Sequence, residues 1–242
     1  MTRNTVILLL IGLLIVGGGA YVALAGKDEG TGYEPPSTQV PADSGESADT
    51  GSDWPAQRPG PVPTAYDNGI ATLGYADAPV TVIEYASMTC GHCAKFHTES
   101  LPTIKARYVE TGLVKVEFRP FPLDIWAARA SMIASCSGEK YFAYTDLLFR
   151  RQSQWISNDQ DKIEEELKKL AAIGGMGQDA VEACLANEAL FNRIVEIRQQ
   201  GQTEHSVNST PSLVINGKTY SGEMSPAEFS KHVDPLLDKH LN

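Results

Sequence analysis

The sequence predicts an α/β fold: a mixed central sheet flanked by helices, with an all-helical block inserted between its two halves. Three observations predict it. Residues 80–85 (Val-Thr-Val-Ile-Glu-Tyr) form a β-branched and aromatic run with few positions suited to solvent, as expected of a buried central strand. Residues 124 to about 202 carry apolar side chains at helical spacing throughout. The period then returns to two on either side of Asn216-Gly217, a dipeptide that favours a tight hairpin.

From the N-terminus, Arg3 precedes an uncharged run of 20 residues, 6–25, closed by Lys27-Asp28-Glu29. A helix of that length spans roughly 30 Å, the thickness of a bilayer's hydrocarbon core. Positive charge before the run keeps that end in the cytoplasm and sends the rest across. Residues 1–26 are therefore expected to be a membrane anchor. The small-x-small pattern Ala23-Leu24-Ala25 equally fits the cleavage site of a signal peptide, and both readings export the body of the protein. Residues 27–64 hold seven of the chain's 14 prolines, and their only branched aliphatic side chains are Val40 and Val62. Such a segment cannot bury enough apolar surface to offset its ordering entropy, so it is expected to be a disordered linker.

The folded domain is expected over residues 65–242. A weak strand at 70–74 is followed by a turn at Asp77-Ala78-Pro79 and the central strand at 80–85. A helix is expected from Cys90 to about Val109, kinked by Pro102 and ended by Gly112. Residues 113–118 alternate Val114, Val116 and Phe118 with Lys115 and Glu117, and read as a strand. The inserted block, about 120–205, should hold helices at 127–134, 141–149, 163–173 and 180–197. Ser225-Pro226-Ala227-Glu228 is a capping-box pattern that opens a last helix. The order is β-β-α-β, a block of helices, then β-β-α.

A net charge of −10 argues against nucleic acid, because phosphate binding needs clustered Lys and Arg. The chemistry lies in the four cysteines, Cys90, Cys93, Cys136 and Cys184. An even number in an exported chain favours disulfides. Cys90-Gly91-His92-Cys93 falls at a strand-to-helix junction, where the unpaired N–H groups of the helix start would stabilise a Cys90 thiolate. A stabilised thiolate is a good leaving group, and stabilising the reduced form makes the disulfide more oxidising. His92 can add to this by charge or hydrogen bonding. Cys93, one turn on, should be buried and act as the resolving partner. Zinc is not expected, since no second close Cys or His pair follows, and c-type haem is not, since Ala94 stands where a His would be needed. No metal or cofactor is expected.

Alternation places Glu84 with Val80 and Val82 on one buried face, where an unpaired carboxylate favours its neutral form. Cys136 and Cys184, in different helices of the block, are expected to form a structural disulfide. His97 is expected to project from the first helix, and His205, His232 and His240 to be surface residues.

The run Ala78-Pro79-Val80-Thr81-Val82-Ile83-Glu84-Tyr85 leading to Cys-Gly-His-Cys resembles the DsbA-like branch of the thioredoxin superfamily, whose thioredoxin fold carries an inserted helical domain. Ser209-Thr210-Pro211-Ser212 before the Asn-Gly hairpin resembles that family's cis-proline loop. The resemblance implies a thiol–disulfide oxidoreductase in which Pro211 is cis and faces the redox pair, Thr210 pairs with an extended substrate chain, and Glu84 exchanges a proton with Cys93. It also implies donation of disulfides to newly translocated Cys-containing proteins and reoxidation by a DsbB-like membrane oxidase. The dipeptide Gly91-His92 departs from the Pro-His of the best-known bacterial oxidases and resembles protein disulfide isomerase instead. A disulfide isomerase or reductase, and a tethered chaperone with an incidental disulfide, are the competing readings. The chain is expected to be a periplasmic monomer, held at the inner membrane or free of it.

Overall fold

The computed structural model describes residues 56–241, so the apolar run at 6–25 and most of the proline-rich segment lie outside the described residues. Among the described residues no helix is long and apolar enough to cross a membrane.

The strands are β1 (Thr64–Asp67), β2 (Ile70–Leu73), β3 (Val80–Ala86), β4 (Val114–Pro120), β5 (Ser212–Ile215) and β6 (Lys218–Ser221). They form one six-stranded sheet in the order β1-β2-β4-β3-β5-β6. β3 and β4 are parallel and every other pair is antiparallel, which makes the sheet mixed as expected. The central place falls to β3, the strand with the longest β-branched run, because both of its edges and both of its faces are covered. β1 carries no such run. Its residues are exposed or half-buried, so its pairing with β2 across Asn68-Gly69 had no hydrophobic pattern to announce it.

Helix α1 (Gly91–Lys95) leads through a π-turn at Phe96–Ser100 into α2 (Leu101–Ile104) and a second π-turn at Lys105–Val109. The kink expected at Pro102 is thus taken up as a widened turn before it. Pro102 has no N–H to give to the carbonyl four residues back, and the ladder loosens there. Gly112, at φ +78°, ends the run as expected. In the inserted block, α3 (Ile125–Cys136), α4 (Tyr141–Arg150), α5 (Gln152–Trp155) and α6 (Gln160–Ile173) precede α7 (Gln178–Leu185) and α8 (Glu188–His205). The single helix expected at 180–197 is therefore two. Asn187 breaks it by accepting a hydrogen bond from the Leu190 N–H at 3.0 Å, which starts a new helix. Cys136 and Cys184 are joined in a disulfide that ties α3 to α7 across 48 residues, a restriction worth about 2–4 kcal/mol.

The last helix, α9 (Pro226–Leu241), opens with the expected capping box. Glu228 N–H donates to Ser225 Oγ at 3.2 Å, and Ser225 N–H donates back to the Glu228 carboxylate at 3.1 Å. Phe229, Val233 and Leu237 of α9 pack with Val80, Val82 and Phe96 on one face of the sheet. On the other face Tyr85 is buried with Phe121, Ile197 of α8, Val207 and Val214 of β5. Residues 57 and 58, read from composition as linker, are held against the domain: Arg58 N–H donates to Glu110 O at 2.9 Å and its guanidinium pairs with Asp77 at 2.9 Å.

α8 approaches the sheet closely because Gly201 has no side chain there; a Cβ at that position would lie 2.6 Å from the Tyr85 ring. Alanine would gain about 1 kcal/mol of helix propensity, but forcing it against a buried ring costs more. Gly201→Ala is predicted to lower the unfolding free energy by about 1–2 kcal/mol net, read by denaturant titration. An unchanged or higher stability contradicts this packing.

Candidate active site

β3 ends at Ala86, and the chain passes through Ser87, Met88 and Thr89 to Cys90, the residue immediately before α1. Cys90 has extended backbone angles (φ −82°, ψ 118°) and no side chain caps the helix behind it. The N–H groups of the first turn are therefore left for the Cys90 sulfur itself. The loop is pinned from three sides. Cys90 N–H donates to Ser87 O at 3.0 Å. Thr89 Oγ1 donates to Asp124 at 2.5 Å, and Asp124 also caps α3 by accepting from Ala127 N–H. Gln152, from the inserted block, donates its amide to the carbonyls of Met88 (2.8 Å) and Cys90 (3.1 Å).

The two sulfurs differ sharply. Cys90 is half-buried and its thiol is pulled from the ordinary range down to about 5. The leading cause is the Cys93 thiol donating to the Cys90 sulfur. Burial opposes it, and Thr210 and the backbone N–H groups of Cys93 and His92 reinforce it. Cys93 is buried, and its thiol is pushed far up, first by burial, then by its hydrogen bond and repulsion with Cys90. One sulfur is built to ionise and the other to keep its proton.

The Thr210–Pro211 peptide is cis, as the loop's resemblance implied, and the Cys90 thiol lies 3.3 Å from Thr210 O. The loop before β5 therefore faces Cys90, and Thr210 meets that residue across 120 positions of sequence. Gly91 is exposed and a Cβ there would meet nothing, so that position imposes no steric demand of its own. His92 is exposed. Its backbone N–H serves Cys90, but its ring turns to Glu223, 3.6 Å away, and Glu223 is held by Lys95 at 2.7 Å.

Glu84 is fully buried, as expected. Its partner was not foreseen. His97, expected to project outward from the first helix, is 5% exposed and bonds Glu84 Oε1 through Nε2 at 2.8 Å. The signal was present: His97 lies four residues after Cys93 and so on the same face of one helix. His205 is also not a free surface residue, since its Nδ1 is 2.9 Å from the Tyr85 hydroxyl. His232 is half-buried and stacks on Tyr220. The side chain of His240 lies outside the described residues. Gln152 and Glu223 carry no local mark that could have placed them here.

Known proteins share this fold. A family model described as thioredoxin matches residues 67–235. The crystal structure of α-DsbA1 from Wolbachia pipientis superposes with a TM-score of 0.66 at 28% identity, covering 70% of this chain and 92% of that one. Oxidised BdbD from Bacillus subtilis superposes with a TM-score of 0.63 at 19% identity, over 74% of this chain and 98% of that one, a likeness of fold. Disulfide bond formation protein D of Bacillus subtilis is 22% identical over 176 residues, which are 70% of this chain and 78% of its own.

Because the Cys93 thiol is the first cause of the low Cys90 value, Cys93→Ala is predicted to shift the thiolate titration of the reduced protein upward from about 5, as followed by ultraviolet absorbance. A midpoint unmoved by the substitution contradicts that assignment.

Proposed function

This chain belongs to the thioredoxin family and is a protein-disulfide oxidoreductase of DsbA type, and from that premise we propose that it donates disulfides to exported proteins through Cys90 and Cys93. The observation that carries the proposal is the Cys90 sulfur, set at an uncapped helix N-terminus and ionising near 5. A disulfide that contains such a sulfur gives up its bond readily, because one product is already stabilised.

In the proposed reaction a substrate thiolate attacks Cys90 Sγ. The Cys90–Cys93 bond breaks, the electron pair goes to Cys93, and Cys93 takes up a proton carried by Glu84. A second substrate thiol, deprotonated, then attacks the mixed disulfide and leaves with its new bond, and Cys90 departs as a thiolate. Burial of Cys93 favours its neutral thiol, which draws the first step towards release. An extended substrate chain pairs with the backbone of Thr210, beside the cis Pro211. The body of the protein works outside the cytoplasm, carried there by residues 1–26 as anchor or leader. A DsbB-like membrane oxidase restores the disulfide. Cys136 and Cys184 take no part in the electron flow.

Equilibration of the Cys90–Cys93 couple with glutathione is the test. A reduction potential of about −120 to −180 mV is expected of a dithiol oxidase. A value near about −270 mV assigns the protein to reduction instead and overturns the proposal. Cys90→Ser is expected to abolish disulfide transfer to a reduced protein substrate; retained activity would point to a chaperone with an incidental disulfide.

A further inference from the structure

A proton must reach Cys93 each time its disulfide opens and leave it each time the disulfide closes. Yet Cys93 is completely buried, and so is Glu84. Neither group meets solvent, so the route between them and water has to pass through something else.

Glu84 and His97 meet at 2.8 Å, Oε1 to Nε2, with side-chain exposures of 0% and 4%. The second carboxylate oxygen, Oε2, is buried with no hydrogen-bond partner among the described residues. A carboxylate with one oxygen unsatisfied is a costly thing to keep in a core if its only task is structural. The imidazole is fixed by aromatic rings, with centroids 4.4 Å away at Phe149 and 5.7 Å away at Phe118. Unlike Glu84, His97 also lines a cavity of about 300 Å³, together with Leu101, Pro102, Lys105, Asp146 and Arg150. Pro102 and Arg150 are exposed, so this cavity reaches the surface; its lining is mostly apolar, Leu73 and Phe142 included, and Lys105, Asp146 and Arg150 supply the polar groups that can hold water near His97. It opens beside α2 and α4, among residues that take no part in holding Cys90 or the Thr210–Pro211 loop.

We propose that His97 is the proton relay between Glu84 and the solvent of this cavity, so that protons and substrate reach the redox pair by separate routes. The inference rests on the reading of Glu84 as the proton carrier for Cys93. His97 acts through Glu84 and is in that sense a positioning residue.

The relay closes on itself over one redox cycle. In the oxidised protein Glu84 is neutral with its proton on Oε2, and neutral His97 donates Nε2–H to Oε1. When a substrate thiolate attacks Cys90, the electron pair of the Cys90–Cys93 bond goes to Cys93, and Oε2 gives that sulfur its proton. Nε2–H then passes to Oε1 while Nδ1 takes a proton from a solvent acid in the cavity. Glu84 is neutral again and His97 is the other neutral tautomer. Reoxidation runs the same path backwards: Cys93 gives its proton to Oε2, Oε1–H returns to Nε2, and Nδ1–H goes to water. One proton enters and one leaves per cycle, and the ring never has to flip. The charged and titratable groups facing this path are Glu84 on β3, Cys93 on α1, Tyr141, Asp146 and Arg150 on α4, and Lys105.

The test measures, in the full chain and across pH, the rate of reduction by dithiothreitol and the rate of reoxidation by oxidised glutathione. His97→Gln keeps a hydrogen bond to Glu84 but cannot carry a proton. It is expected to slow both rates by roughly 10- to 100-fold, the low end of what a positioned acid–base group contributes, and to leave the Cys90 thiolate titration in place. Glu84→Gln is expected to slow them at least as much, with the double variant no slower than Glu84→Gln alone. His97→Ala opens an imidazole-sized gap onto the cavity, and added imidazole is expected to restore its rate, which a structural role would not allow. Should that variant lose its fold, His97→Gln decides alone. If Glu84→Gln slows the rates and His97→Gln does not, the relay is overturned and the reading of Glu84 stands. If Glu84→Gln itself reacts at the wild-type rate, the reading of Glu84 falls and the relay with it.

Discussion

The active-site structure depends on one sulfur placed where a helix has nothing else to satisfy its first N–H groups. Cys90 stands in the position usually taken by a capping Ser, Thr, Asp or Asn, and no side chain replaces it. A thiolate there gathers the Cys93 thiol, the N–H groups of His92 and Cys93, and the partial charge of the helix end. A neutral thiol or a disulfide sulfur gathers far less. The difference between those states is what the rest of the site maintains: β3 delivers the chain to the spot, and Gln152 and Asp124 hold the loop from the inserted block.

The second sulfur has the opposite environment three residues away. Cys93 lies one turn into the helix on its core-facing side, while Cys90 stands half-buried at the start, and helix periodicity carries that inner face on from residue 93. The same periodicity brings His97 onto the inner face, one turn further on, against Glu84 of β3. Redox asymmetry and the polar pair beneath it thus come from a single short helix laid across a single central strand. The inserted helices close the remaining side: Phe149 of α4 covers His97, and α3 and α7 are tied together by the Cys136–Cys184 disulfide.

Most of this was legible because the decisive signals are local. The β-branched run of β3, the strand-to-helix placement of Cys90, the capping box of α9 and the Asn216-Gly217 turn each act over a few residues, and each appears where its chemistry requires. The resemblance added the cis peptide at Pro211, which spacing alone does not specify. What escaped was of two kinds. β1 and the start of α8 are set by neighbours, with weak patterns of their own. His97, Gln152 and Glu223 draw their positions from contacts across the fold. A histidine at helical spacing from a buried cysteine looks the same in sequence whether it meets solvent or a carboxylate. Only the placement of Glu84 opposite it decides, and that is a property of the sheet.

The central claim is that the reduced state is the stabilised one. A thiolate whose folded value is depressed to about 5 stabilises the reduced protein at neutral and higher pH, and that contribution is lost as pH falls through about 5. The most direct measurement is the unfolding free energy of the oxidised and reduced proteins, by denaturant titration at neutral pH and again below about pH 5. The account predicts that at neutral pH the reduced protein is the more stable of the two, with the margin shrinking on acidification. An oxidised protein that is more stable at neutral pH, as an ordinary structural disulfide would make it, contradicts the account.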